Sequence, residues 1–130
     1  MKLPILAITL GDPAGVGPEI IVKALAHPQV YEQCRPLVLG DKRILERAAV
    51  WCGLPTSKFE IVQNVIAASY QPTGIHLLDL HNADPAEIAP GQLSAAAGRA
   101  AVEYVFRACD MAMAGEVEAV VTAPLNKEAM

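Results

Sequence analysis

Apolar and polar positions in this chain alternate between two rhythms. Residues 3–9, LPILAIT, run almost unbroken by polar side chains, which predicts a strand buried on both faces. The glycine- and proline-rich stretch TLGDPAGVGPEI interrupts that run. Pro18 then suits the first turn of a helix, where its missing N–H costs nothing, and Glu19 sits near the positive end of the helix dipole. This helix is expected to turn Ile20, Ile21, Ala24 and Leu25 toward the core and to end before Pro28. Residues 36–40, PLVLG, predict a second strand. Asp41 follows as an N-cap for a helix in which Ile44, Leu45, Ala48 and Trp51 recur at helical spacing, with Gly53 as its stop and Pro55 beyond. Residues 59–62 and 75–80 predict two more strands, and residues 81–92 read as a loop. Ser94 caps the longest helix, over residues 95–114, and Gly115 ends it. Its small residues Ala97, Gly98, Ala101 and Ala108 allow close approach to a sheet or a partner helix. Residues 119–122 form a last buried strand, and 123–130, APLNKEAM, look like a loop entering a helix.

Strands alternating with helices predict an α/β fold, a mostly parallel sheet flanked by helices. The 130 residues fit one domain, with no repeat, low-complexity segment or linker. A hydrophobic share of 53% against 18% charged residues is enough for a core. The net charge of −4 and the lack of any basic run exclude a nucleic-acid footprint, which needs clustered Lys and Arg. A small anionic substrate stays open, because a few cations and backbone N–H groups suffice for one. No stretch reads as a secretory signal, and none approaches the ~20 apolar residues of a membrane span. Cys34, Cys52 and Cys109 are odd in number and widely spaced, which points to reduced thiols and a cytoplasmic protein.

Gly11, Gly15 and Gly17 follow G-x-x-x-G-x-G, which is neither the dinucleotide fingerprint nor the P-loop. The loop lies between a strand and a helix N-terminus, where glycines let backbone approach a ligand and free N–H groups face an anion. A tight turn needing glycine for geometry alone explains it about as well. Asp12 and Glu19 add carboxylates that could orient a substrate or a cation. Thr122, Asn126 and Lys127 come just past the carboxyl end of a strand, where ligands lie in open α/β sheets. Lys127 can bind phosphate or carboxylate or help withdraw a hydroxyl proton, and Asn126 can hydrogen-bond a substrate. A solvated Lys and a capping Asn are the plainer reading. His27, His76 and His81 match no metal-ligand spacing.

Taken together, ITLGDPAGVGPEIIVKAL, PLVLGD, GQLSAAAGRAAVEYV and VVTAPLNKEAM resemble the 4-hydroxythreonine-4-phosphate dehydrogenase (PdxA) family, in the right order and over essentially the whole chain. The resemblance implies a dimeric fold like isocitrate and isopropylmalate dehydrogenases, without the usual dinucleotide fingerprint. It implies that residues 1–130 are the N-terminal part of a longer enzyme, truncated here and inactive alone. The implied reaction is NAD-dependent, divalent-metal-assisted (Zn, Mg, Mn or Co) oxidation of 4-phosphohydroxy-L-threonine, with decarboxylation, in pyridoxal phosphate biosynthesis.

The family's metal-binding histidines follow the TAPLNK stretch, so the metal ligands are expected outside this chain and none within it. The resemblance carries Gly11, Asp12, Pro13, Gly17, Glu19, Thr122 and Asn126 into the active-site region, with Lys127 as the catalytic or substrate-contacting cation. Two other readings stand beside it. One is a dehydrogenase of four-carbon sugar-acid phosphates such as erythronate or threonate 4-phosphate. The other is a non-catalytic phosphate- or nucleotide-binding module.

Overall fold

A computed structural model describes residues 2–54, 57–72 and 74–130. The elements run β1 (Ile5–Thr9), α1 (Gly17–Ala24), α2 (Pro28–Gln33), β2 (Arg35–Gly40), α3 (Lys42–Trp51), β3 (Phe59–Ile61), β4 (Ile75–Asp79), α4 (Ala95–Met113) and β5 (Ala119–Thr122). All four strand pairings are parallel, and the order across the sheet is β3-β4-β2-β1-β5. Their carboxyl ends therefore lie along one edge of the sheet.

Strand alternation divides the core into two clusters. Val38 and Leu77 join Ile21 and Val22 of α1 and Ile44 and Leu45 of α3. Leu37, Leu39 and Leu78 join Ala108 and Met111 of α4. The first half of α4, with Ala97, Ala100 and Tyr104, belongs to the former cluster. Burying a side chain of Leu or Ile size contributes roughly 1.5–3 kcal/mol, so strands buried on both faces hold the sheet's centre.

The caps read from sequence are present. Asp41 Oδ1 accepts from the N–H of Arg43 at 2.9 Å, and Ser94 Oγ accepts from that of Ala97 at 3.1 Å. Gly53 and Gly115 end α3 and α4 at φ of 72° and 77°. Pro55, expected beyond the stop of α3, lies outside the described residues.

Five details differ from the sequence reading. β5, expected to be buried, is an edge strand whose residues are exposed or half-buried, because β1 flanks it on one side alone. Ile20 and Ala24 face solvent, and the buried stripe of α1 is Pro18, Ile21, Val22 and Leu25. That stripe follows the i, i+3, i+4, i+7 pattern, and adjacent isoleucines cannot both lie on it. Trp51 is 53% exposed, because its ring covers Arg47 instead of entering the core. Pro28 opens the short helix α2 instead of only ending the helix before it. Residues 127–129 form a single turn closed by Ala129 N–H on the Asn126 carbonyl at 3.2 Å, and no helix begins there. Among the described residues no helix is long and apolar enough to cross a membrane.

Candidate active site at the carboxyl edge

The glycine-rich loop leaves β1 and folds over the carboxyl end of β5. Leu10 N–H still donates to Leu39 of β2 at 3.0 Å, and then the chain turns. Gly11 makes the turn at φ +74°. A Cβ there would lie 2.5 Å from the Pro124 carbonyl oxygen, so glycine is required both for the dihedral and for the approach. Asp12 N–H donates to that same carbonyl at 3.0 Å. The Asp12 carboxylate is buried and folds back on its own loop, with Oδ1 accepting from Ala14 N–H at 2.8 Å. Gly17 begins α1 in a similarly tight place, where a Cβ would meet the Leu10 carbonyl oxygen.

These contacts enclose a cavity of about 280 Å³. One wall is Asp12, Ala14, Gly15 and Val16, and the opposite wall is Pro124, Leu125 and Asn126. Gly91 and Gln92, just before α4, complete it. Gly91 N–H donates to the Ala14 carbonyl at 2.7 Å, which fixes this third segment against the first. Val16 occupies the N-cap of α1 without a side-chain cap, so the first N–H groups of that helix have no intrahelical or side-chain partner. A larger cavity, about 640 Å³, lies beside Lys2, Arg35 and Tyr70 at the amino ends of the strands. None of the residues singled out from the sequence reaches it, and parallel sheets place ligands at the opposite edge.

The residues singled out from the sequence do not all converge. Asp12 and Asn126 line the cavity. Gly11, Pro13 and Gly17 are buried in the loop that shapes it. Asn126 Oδ1 accepts from Glu128 N–H at 3.1 Å, which leaves its amide N–H₂ group as a donor. Lys127 is exposed and is not a wall of the cavity, nor are Thr122 and Glu19. Thr122 ends β5 opposite Thr9, and Glu19 lies in the first turn of α1. Sequence reasoning missed Gly91 and Gln92. Their signal was a Pro-Gly-Gln run ahead of a capped helix, at the start of the stretch GQLSAAAGRAAVEYV, which carries the family resemblance but no site role.

One expectation is corrected. The metal ligands were placed outside this chain, with no role for His81, yet Asp41, Asp79 and His81 each offer a ligand atom within 4.8 Å of one another. Two carboxylates and an imidazole suit a divalent cation. The three meet because Asp79 pairs with Gly40 in the sheet, so that Asp41 and the turn after β4 become neighbours. No sequence spacing encodes that adjacency.

The carboxylate of Asp41 is nevertheless already occupied. Oδ1 accepts from the N–H and Nε–H of Arg43, and Oδ2 accepts from Arg43 Nη2 and Ala83 N–H, all at 2.9–3.1 Å. Burial pushes the Asp41 carboxyl up, but Arg43 and these backbone N–H groups outweigh it and hold the group below its usual value. Asp79 Oδ1 likewise accepts from Lys42 N–H and His81 N–H. A cation at this triad has to compete with the Arg43 guanidinium.

The comparisons with known proteins agree with this fold. The family model described as pyridoxal phosphate biosynthetic protein PdxA matches residues 32–130. The chain belongs to the PdxA family. A 4-hydroxythreonine-4-phosphate dehydrogenase of Trichlorobacter lovleyi is 43% identical over 98% of this PdxA-family chain and 38% of its own length. A Clostridium botulinum protein provisionally named D-threonate 4-phosphate dehydrogenase is 39% identical over the same shares. The crystal structure of a 4-hydroxythreonine-4-phosphate dehydrogenase from Burkholderia phymatum superposes with a TM-score of 0.94 at 46% identity, covering 99% of this chain and 38% of that one. This PdxA-family chain thus spans 38% of the length of these relatives. The relatives' matches include the opening loop, which precedes residue 32 and lies outside the family-model match.

Proposed function

We propose that this sequence forms the N-terminal part of an NAD-dependent dehydrogenase acting on 4-phosphohydroxy-L-threonine. The observation that supports the reading best is the closure of Asp12 onto Pro124, which turns two distant signatures into the walls of one cavity. The cavity lies at the carboxyl edge of a parallel sheet, where such folds bind ligands.

The chain's own groups suit binding and orientation. The uncapped N-terminus of α1 offers N–H groups to a phosphate or carboxylate, and Lys127, next to Asn126, supplies a cation for the same purpose. Asp12 keeps Oδ2 free to accept from a substrate hydroxyl or ammonium, and the Asn126 amide donates to a substrate oxygen. NAD, when bound, would supply the acceptor for the hydride of the carbinol carbon. The hydroxyl proton leaves to a base; the product is a β-keto acid, in which the bond from Cα to the carboxylate breaks, its electron pair passes into the neighbouring ketone as an enolate, and carbon dioxide departs. Among the described residues the donor triad for a cation is Asp41, Asp79 and His81, and its Asp41 is committed to Arg43.

The name of the Clostridium relative favours a second reading, oxidation of threonate 4-phosphate, in which a hydroxyl replaces the amino group. The buried Asp12 carboxylate on the cavity wall suits an ammonium better than a hydroxyl. The deciding assay follows NADH formation by a complete enzyme carrying this sequence, on 4-phosphohydroxy-L-threonine, D-threonate 4-phosphate and D-erythronate 4-phosphate. Preference for the amino acid is the expected result. Preference for a sugar-acid phosphate selects the second reading, and no reduction of NAD with any of them overturns both.

A further inference from the structure

Arg47 sits on α3, outside the cavity, and no reading of the sequence gives it a role. Its guanidinium donates from Nη1 to the carbonyls of Ile88 at 2.9 Å and Pro85 at 3.4 Å, and from Nη2 to that of Pro13 at 3.4 Å. Among the described residues no backbone N–H donates to any of these three carbonyls. They belong to irregular segments, where neither helix nor sheet can satisfy them. The Trp51 ring lies over the guanidinium, 4.9 Å from Cζ to centroid, and shields it from water.

Pro13 belongs to the glycine-rich loop, and Ile88 lies three residues before Gly91. We propose that Arg47 is a positioning residue that straps together the two loops, residues 12–16 and 85–92, whose facing surfaces form the mouth of the cavity. The Gly91 to Ala14 hydrogen bond joins the same loops on the cavity side, so Arg47 and this bond act as two parallel ties. A planar fork of donors reaches both loops at once, whereas a single ammonium cannot. The effect on ligand affinity rests on the functional reading above, but the strap itself does not.

The test uses the complete enzyme and reads amide hydrogen exchange first, because exchange needs no substrate. In R47A, exchange is expected to speed up at least about tenfold in both residues 12–16 and residues 85–92, the effect of losing one charge-assisted hydrogen bond to the first loop and two to the second, while β2 and β4 keep their protection. Ethylguanidinium added to R47A is expected to restore protection saturably. R47K, which keeps the stem and charge, is expected to leave at least one loop loosened. W51F is expected to leave both loops within about twofold of the parent, since the hydrogen bonds survive. Faster exchange in one loop only, throughout the chain, or equally in W51F overturns the strap. With the preferred substrate, R47A is expected to raise KM about tenfold and to change kcat less than threefold. An unchanged KM overturns the link to affinity. If no substrate is turned over, the functional reading fails and exchange alone decides the strap.

Discussion

The backbone N–H of Asp12 and the carbonyl oxygen of Pro124 meet at 3.0 Å, joining positions separated by nearly the whole chain. The sheet order explains the meeting. β5, last in sequence, pairs parallel with β1, first in sequence, with Thr9 opposite Thr122. The two loops that leave these strands therefore emerge side by side.

Gly11 sets how closely they approach. G11A places a Cβ 2.5 Å from the Pro124 oxygen at a positive φ, whereas G91A meets nothing within 4 Å at the same φ of +74°. G91A is expected to lose about 1 kcal/mol, the dihedral cost alone. G11A is expected to lose at least ~2 kcal/mol more, because backbone must shift. Urea midpoints of the two variants measure the difference, and equal losses would show that the approach to Pro124 carries no cost.

Asp12 can be divided into geometry and charge. D12N keeps an oxygen to accept from Ala14 N–H, so its stability is expected within about 1 kcal/mol of the parent, and D12A is expected to lose ~1–2 kcal/mol with the loop's hydrogen bond. If the carboxylate recognises an ammonium, D12N raises KM for 4-phosphohydroxy-L-threonine more than for threonate 4-phosphate. Equal changes for both substrates would remove Asp12 from that role.

Lys127 is exposed and remote from the core, so K127M is expected to change stability by less than about 0.5 kcal/mol. If it contacts phosphate or carboxylate, K127M lowers kcat/KM by tenfold or more, from ~1.4 kcal/mol of lost interaction. Unchanged kcat/KM would make it a solvated side chain.

His76 gives a pH signature. Its Nε2 accepts from Gln71 N–H at 3.2 Å, so the proton of the neutral ring is on Nδ1, which is buried without a hydrogen-bond partner. Burial pushes the imidazole below its ordinary 6.5, and Glu60, 3.0 Å from Nε2, offsets this only in part. The folded state therefore binds its proton less readily than the unfolded one. The stabilisation is complete above pH 6.5 and is lost as pH falls below it, with a slope of at most ~1.4 kcal/mol per unit. Protection of the Gln71 amide, corrected for intrinsic exchange, is expected to fall between pH 7 and pH 5.5, and H76Q is expected to flatten that response.

Much of the architecture was legible locally. Runs of apolar residues, Asp41 and Ser94 at helix starts and Gly53 and Gly115 at helix ends each act within a few residues, where propensity and capping decide the outcome. The two signatures, GDPAGVGPE and TAPLNK, were legible as patterns for the same reason. Which helix face turned inward was less so. Ile20 and Ile21 are equally apolar, and only packing against α3 and the sheet put Ile21 inside and Ile20 out.

By itself the sequence determined the alternating elements, the parallel sheet they imply, the family, and two of the three segments that border the cavity. The tertiary structure alone decided which of those loops touch. It brought Gly91 and Gln92 to the cavity, set Arg47 beneath two loops, left Lys127 outside, and gathered Asp41, Asp79 and His81. The physical reason is range. Caps and periodicity are local properties of the chain, whereas these neighbours come from the lateral order of strands and the crossovers between them, which no spacing along the sequence records.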